Sequence, residues 1–191
     1  MKVGVLALQG AFAEQVNALS RLGVDSIEVR LAADLLQADA LIIPGGESTT
    51  ISKLLLGNVL FEPLIDRITH GFPVLGICAG MILMAKEIVD DRRVKSLNIL
   101  DIAVRRNAYG RQLDSFEADL EIPACGPEKF HGVFIRAPII ESCRKDVKIL
   151  CRLNNQPVAV RQGNLLACSF HPELTEDLRF HRYFLETIRE T

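Results

Sequence analysis

The 191-residue chain has no apolar run approaching the roughly 20 residues that a membrane-spanning helix needs, no basic cluster and no low-complexity tract. With 22 Lys and Arg against 24 Asp and Glu, its formal net charge is −2. Such a balance supplies no field for holding nucleic acid or an anionic membrane. The five cysteines (Cys78, Cys125, Cys143, Cys151 and Cys168) are odd in number, irregularly spaced and never in a C-x-x-C. That pattern argues against a disulfide framework or a zinc knuckle, and for reduced thiols in the cytoplasm. No pair among the four histidines has metal-ligand spacing, so neither a metal nor a cofactor is expected. There is no G-K-[ST] and no G-x-G-x-x-G after the first strand, which excludes a Walker loop and a dinucleotide fingerprint. Internal repeats and linkers are lacking too.

What is present is an alternation of short apolar runs and amphipathic stretches. Val3–Leu8 reads as a buried first strand, because Gln9-Gly10 cuts the run too early for a signal peptide. A helix is expected over Ala13–Leu22, strands over Ser26–Val29 and Ala40–Ile43, and helices over Thr50–Leu56 and Leu60–Thr69. The strand Pro73–Ile77 and a helix over Met81–Lys86 come next. The second half holds short strand candidates at Ile102–Val104, Phe116–Ile122, Val133–Ile135, Val147–Leu153, Pro157–Arg161 and Leu165–Phe170, closed by a helix from about Glu176 to Arg189. Together they predict an α/β fold: one domain over residues 1–191, a three-layer sandwich around a mixed, mostly parallel sheet. Ligands of such sheets sit beyond the carboxyl ends of the strands, where Gln9-Gly10, Pro44–Thr49 and Cys78 all fall.

Gly76-Ile77-Cys78-Ala79-Gly80 lies between a strand and a helix. A G-x-C-x-G at that junction is the thiol form of a nucleophile elbow, with small residues permitting a sharp turn that presents sulfur over the helix N-terminus. A cysteine nucleophile needs a base and a group to orient that base. His171 comes after a strand and opens His171-Pro172-Glu173; in an extended segment, residues two apart project to the same side, which sets Glu173 beside the imidazole. His70 reads as a helix C-terminal residue, and His131 and His181 as surface or partly packed. Cys151 and Cys168 sit in apolar strand-like runs and read as inert.

Pro44-Gly45-Gly46-Glu47-Ser48-Thr49 admits two readings: Ser48 or Thr49 caps a helix, or the paired glycines offer backbone N–H groups to an oxyanion. Arg105-Arg106-Asn107-Ala108-Tyr109-Gly110-Arg111-Gln112 is either a solvated loop or a donor-rich recognition segment. Arg136 is open in the same way.

These residues resemble the triad-type (class I) glutamine amidotransferases, and within them the glutaminase subunits of pyridoxal 5′-phosphate synthase (the PdxT/SNO family). Leu8-Gln9-Gly10-Ala11, Pro44–Thr50, Arg106-Asn107 with Tyr109–Gln112, Asp114–Glu117, Gly132–Pro138 and Ser169–Asp177 carry the likeness. The resemblance implies that Cys78 attacks the side-chain amide of L-glutamine, that His171 is base and then acid, and that Glu173 orients it. It implies an oxyanion hole from the N–H groups of Gly46 and Ala79, and glutamine contacts from Gly46, Glu47, Ser48, Arg106, Ile135 and Arg136. It further implies that ammonia passes to a synthase subunit whose dodecameric core carries the glutaminase subunits, with Gln9 contacting that partner. Pyridoxal phosphate would then be the complex's product, not a cofactor of this chain. The segment Asp90–Lys95 carries no resemblance and reads as a variable loop. Two alternatives are a glutaminase subunit of another complex, such as imidazole glycerol phosphate synthase, and an idle scaffold subunit. A stress-related elbow-cysteine protein is the most distant alternative, since it would leave His171-Pro172-Glu173 without a task.

Overall fold

The computed structural model describes residues 1–89, 91–106 and 115–189. Asn107, Tyr109, Gly110, Arg111, Gln112 and Asp114 of the motifs above, and Asp90, lie outside the described residues. In chain order the first elements are β1 (Lys2–Leu6), α1 (Phe12–Arg21), β2 (Asp25–Val29), α2 (Ala32–Leu35), β3 (Ala40–Ile43), α3 (Ser48–Gly57), α4 (Phe61–Thr69), β4 (Val74–Ile77) and α5 (Ala79–Met84). Then come β5 (Ala85–Ile88), β6 (Leu100–Arg105), β7 (Ser115–Leu120), β8 (Phe130–Ile135), β9 (Ile139–Cys143), β10 (Lys148–Leu153), β11 (Gln156–Gln162), β12 (Leu165–Cys168) and α6 (Arg179–Arg189).

The strands that read as unbroken apolar runs occupy the middle of the principal sheet. Every residue of β3, β4 and β12 is buried, as expected for parallel strands covered on both faces. The sheet runs β10-β11-β12-β4-β3-β1-β2. Its β2, β1, β3, β4 and β12 are mutually parallel, while β11 and β10 add to one edge antiparallel. The mixed, mostly parallel sheet of the sequence reading is therefore present.

The remaining strands correct that reading. β5, β6 and β9 form a separate three-stranded sheet, and β7 and β8 a two-stranded one. Burial alternates along β6 and β8, the mark of strands with only one face covered. Alternation shows a strand to be one-sided but not which sheet it joins. The helix expected over Met81–Lys86 ends at Met84, and Ala85–Ile88 turns out to pair β6 instead. α2 and β9 were not expected: four residues are too few for a helical period, and Glu141-Ser142 breaks the apolar run of β9.

Side chains of the principal sheet alternate between two cores. Leu41, Ile43, Val74 and Ala167 meet Ile51 and Leu55 of α3, Leu64 of α4 and the β5-β6-β9 sheet. Val5, Ile42, Leu75 and Cys168 meet Leu19 of α1, Phe180 and Phe184 of α6 and the β7-β8 pair. Three layers result. The parallel registers bring Cys168 level with Ile77, and Ile43 level with Gly76. The carboxyl ends of β12, β4, β3 and β1 thus stand side by side, and the segments leading out of these strands share one rim.

Candidate active site

At the rim's centre, β4 passes through Cys78 into α5. Cys78 has φ 50 and ψ −99, a left-handed backbone that costs a non-glycine residue about 1–3 kcal/mol. The turn is held because Cys78 N–H donates to the Cys168 carbonyl at 2.8 Å and Ile82 N–H donates to the Cys78 carbonyl at 3.2 Å. Its two glycines are needed for space. A Cβ on Gly76 would stand 2.4 Å from Met84 Sδ, and one on Gly80 would stand 2.2 Å from the Ile43 carbonyl oxygen. Cys78 is 6% exposed, and its Sγ lies 3.8 Å from the Ile135 carbonyl oxygen.

His171 comes from the end of β12, two residues beyond Ser169, and its N–H donates to the Val133 carbonyl at 2.8 Å. The extended His-Pro-Glu geometry of the sequence reading is replaced here by a 3₁₀ turn over Pro172–Leu174. Proline's fixed φ suits the first position of a helical turn. The turn still brings the side chains together: His171 Nδ1 is 2.8 Å from Glu173 Oε1, with side-chain exposures of 9% and 0%. Nδ1–H donates to the carboxylate in that arrangement, leaving Nε2 for the sulfur. Burial alone would push the imidazole's pKa down. Hydrogen bonding to Cys78 and Glu173, and their negative charge, carry it up to about 10 instead.

A cavity of about 450 Å³ opens over these groups, lined by Gln9, Gly46, Glu47, Ser48, Cys78, Ala79, Arg106, Ile135, Arg136, His171 and Glu173 among others. All eleven residues singled out in the sequence therefore face one space. Gly45 borders it with no room for a side chain, since a Cβ there would lie 2.3 Å from His171 Cε1. Glu47, rather than Ser48 or Thr49, caps α3: its carboxylate accepts from the N–H groups of Thr49 and Thr50 at 3.1 and 2.7 Å. Partial burial works to raise its pKa, but the Thr50 hydroxyl and these two N–H groups bring it down to about 2. Gln9 Oε1 accepts from the Glu47 N–H at 2.8 Å, which ties the β1 rim to the glycine loop. Arg136, exposed, has φ 42.

Arg105 and Arg106 are the described part of the donor-rich segment, and Arg106 is not a solvated side chain. Its Nη1 donates to Asp91 Oδ2 at 2.7 Å and its Nη2 to Glu47 Oε1 at 3.2 Å. Asp91 belongs to the segment read as a variable loop. Nothing in its neighbourhood pattern marks it, because its partner stands fifteen residues away on another element. His70 does end α4, with Nδ1 2.7 Å from the Asp66 carbonyl oxygen, and His131 is a surface residue beside Glu117. His181 corrects expectation: it is fully buried. A larger cleft of about 650 Å³ lies between α4 and residues 95–99, and its lining includes neither cysteine nor histidine. Burial pushes the Cys125 thiol up to about 12 and the Cys151 thiol to about 11, and raises Cys143 and Cys168 as well. These four are poor nucleophiles. Among the described residues no helix is long and apolar enough to cross a membrane, and no cluster of three potential metal ligands occurs.

The sequence matches the SNO glutamine amidotransferase family over residues 5–190. It is 53% identical over 188 residues to the pyridoxal 5′-phosphate synthase subunit PdxT of Carboxydothermus hydrogenoformans, covering 98% of each chain. Identity to the PdxT subunit of Pelotomaculum thermopropionicum is 56% over 186 residues, covering 97% of this chain and 94% of the other. Its fold superposes on a crystal structure of a glutamine amidotransferase with a TM-score of 0.93 at 52% identity, covering 98% of both chains. Likeness of this extent, carried by a shared fold and by more than half of the residues, means that the chain belongs to the SNO glutamine amidotransferase family.

Proposed function

We propose that residues 1–191 form one glutaminase domain that hydrolyses L-glutamine through Cys78, His171 and Glu173. The observation that carries this reading is the hydrogen-bonded His171–Glu173 pair beside the strained Cys78, in the cavity that all eleven sequence-selected residues line. His171 carries the proton taken from the thiol, and the Cys78 thiolate attacks the side-chain amide carbon. Backbone N–H groups of Gly46 and Ala79 receive the developing oxyanion; Ala79 opens α5, so its N–H has no partner one turn back. The C–N bond then breaks as His171 returns the proton to the leaving ammonia. Water, deprotonated by His171, hydrolyses the thioester to glutamate and frees Cys78. Gly46, Glu47, Ser48, Arg106, Ile135 and Arg136 hold the substrate, with the Arg106 guanidinium as cationic partner for its α-carboxylate.

The relatives' name, pyridoxal 5′-phosphate synthase subunit, supports a synthase partner; in this reading that partner takes the ammonia and builds pyridoxal 5′-phosphate from a pentose phosphate and a triose phosphate. A dodecameric synthase core with glutaminase subunits on its periphery is the assembly expected. In this reading Gln9, which accepts from the Glu47 N–H and lines the cavity, contacts that partner and transmits docking to the oxyanion site. A cytoplasmic setting fits five free cysteines. The deciding experiment is glutamate release from L-glutamine with and without the cognate synthase, with Cys78→Ala as control. Release that rises strongly with the synthase and vanishes in the variant is expected. No release despite complex formation would favour an idle scaffold.

A further inference from the structure

Among the described residues, three buried side-chain atoms have no hydrogen-bond partner: Gln15 Nε2, Glu173 Oε2 and His181 Nδ1. They belong to one neighbourhood. Helix α1, which carries Gln15, packs on the Pro172–Leu174 turn that carries Glu173. Gln15 and His181 are both 0% exposed, and His181 Nε2 is 2.9 Å from Gln15 Oε1. The carboxylate of Glu173 is also the strongest charge acting on His181, ahead of Arg21 on α1.

A polar pair in this position is unfavourable by itself. A buried donor or acceptor without a partner is costly, whereas two apolar side chains would seal the seam between α1 and α6 at no such cost. Two of the three atoms, Gln15 Nε2 and Glu173 Oε2, complement one another. A carboxamide nitrogen only donates and a carboxylate oxygen only accepts. The neutral His181 ring donates from Nε2 to Gln15 Oε1, so the carboxamide's N–H groups face away from the ring and its own Nδ1 is left as an acceptor. A single water accepting from Gln15 Nε2 and donating to Glu173 Oε2 satisfies both, within the two to four hydrogen bonds of a buried water; His181 Nδ1, on the side of the ring turned away from Gln15, takes no part in it.

We infer that Gln15 is a positioning residue for Glu173, its carboxamide supplying the second carboxylate oxygen through a shared water, with His181 fixing the carboxamide's direction. The inference rests on the proposed role of Cys78, His171 and Glu173, and lengthens that line into the body of the protein. Glu173 is then held at both oxygens, Oε1 by His171 and Oε2 from the Gln15 side, so the carboxylate cannot turn and the imidazole plane is fixed. Other groups facing Glu173 are Cys168 of β12, whose thiol burial and this charge both push up, and His181 of α6.

The test is the titration of His171, tracked by NMR on histidine-labelled chain, in the wild type, Gln15→Leu and Gln15→His. An oxygen left without its donor lets the carboxylate turn from the ring, so Gln15→Leu should lower the His171 midpoint by at least about half a unit. Gln15→His, which restores an N–H donor, should return it. In parallel, kcat for synthase-stimulated glutamate release should fall about tenfold in Gln15→Leu with KM nearly unchanged, the size of effect seen when outer partners of a working histidine are removed. His181→Phe, which frees the carboxamide to rotate, should move the same midpoint in the same direction. If folded Gln15→Leu or folded His181→Phe leaves His171 titrating as in the wild type, the inference is overturned. Because this titration needs no substrate, a wild type that fails to hydrolyse glutamine would count against the proposed function alone.

Discussion

Cys78 is held in a backbone conformation that its side chain disfavours, and its neighbours leave it no alternative: strand β4 behind, helix α5 ahead, glycines on both flanks. The imidazole beside it is held charged from two sides. Since burial opposes that charge and Cys78 and Glu173 sustain it up to about pH 10, glutamate release should fall as pH rises through that value, where the proton for the leaving ammonia is lost. Glu173→Gln should move this alkaline limb to lower pH and reduce kcat by about 10²–10⁴-fold while KM changes little, as when the orienting carboxylate of a nucleophile–base pair becomes an amide. An unchanged limb in a folded variant would mean that Glu173 does not orient His171. At this scale Cys78, His171 and Glu173 could be read from the chain because glycine and proline mark them. Gln15 could not: a glutamine next to Val16 on an amphipathic helix has the pattern of a surface residue, and only the packing of α1 buries it.

Among the elements, the Gly45-Gly46 loop carries the most consequence. The Gly45 carbonyl accepts from Ala11 N–H at 3.0 Å, and Gln9 holds the next peptide through Glu47 N–H. The segment after β1 therefore grips the segment after β3 at two points. Gly46→Ala would set a Cβ 2.6 Å from Gln9 Oε1 and 3.0 Å from Gly10 Cα. We expect at least a tenfold loss of glutamate release and, because a glycine pair turns a peptide at little steric cost, a weakened response to the synthase. Full partner-induced activation in Gly46→Ala would rule out peptide turning in this loop as the switch. The sequence made the central strands legible because each is a short, mainly apolar run, with β3 ending at Pro44 and β4 at the elbow. It did not make β5, β9 or the separate small sheets legible. Their pairing depends on partners far along the chain, as β6 with β9 illustrates.

At the scale of the molecule, titration and stability are linked through His181. Burial holds its pKa down at about 4, against 6.5 for a free imidazole. Between those values the unfolded chain takes a proton that the folded chain refuses, so stability falls as pH drops through this window, by up to about 3 kcal/mol. Glu47, Asp101 and Asp177 have lowered pKa values, so their contributions persist down to ordinary carboxylate pH and disappear below it. Thermal melts from pH 7 to pH 4 should show a declining Tm that flattens in a folded His181→Phe chain; the same slope in that variant would exclude His181 as the source.

The principal sheet also works as a partition. Leu55 and Phe184 lie in different cores on its two faces, so their losses should be independent: Leu55→Ala and Phe184→Ala at about 2–5 kcal/mol each, adding to within about 0.5 kcal/mol in the double variant. Two lineages of substitutions can therefore accumulate in one chain without consulting each other, one behind the glycine loop and one behind Glu173. Only on the rim, where both cores end, must their histories agree.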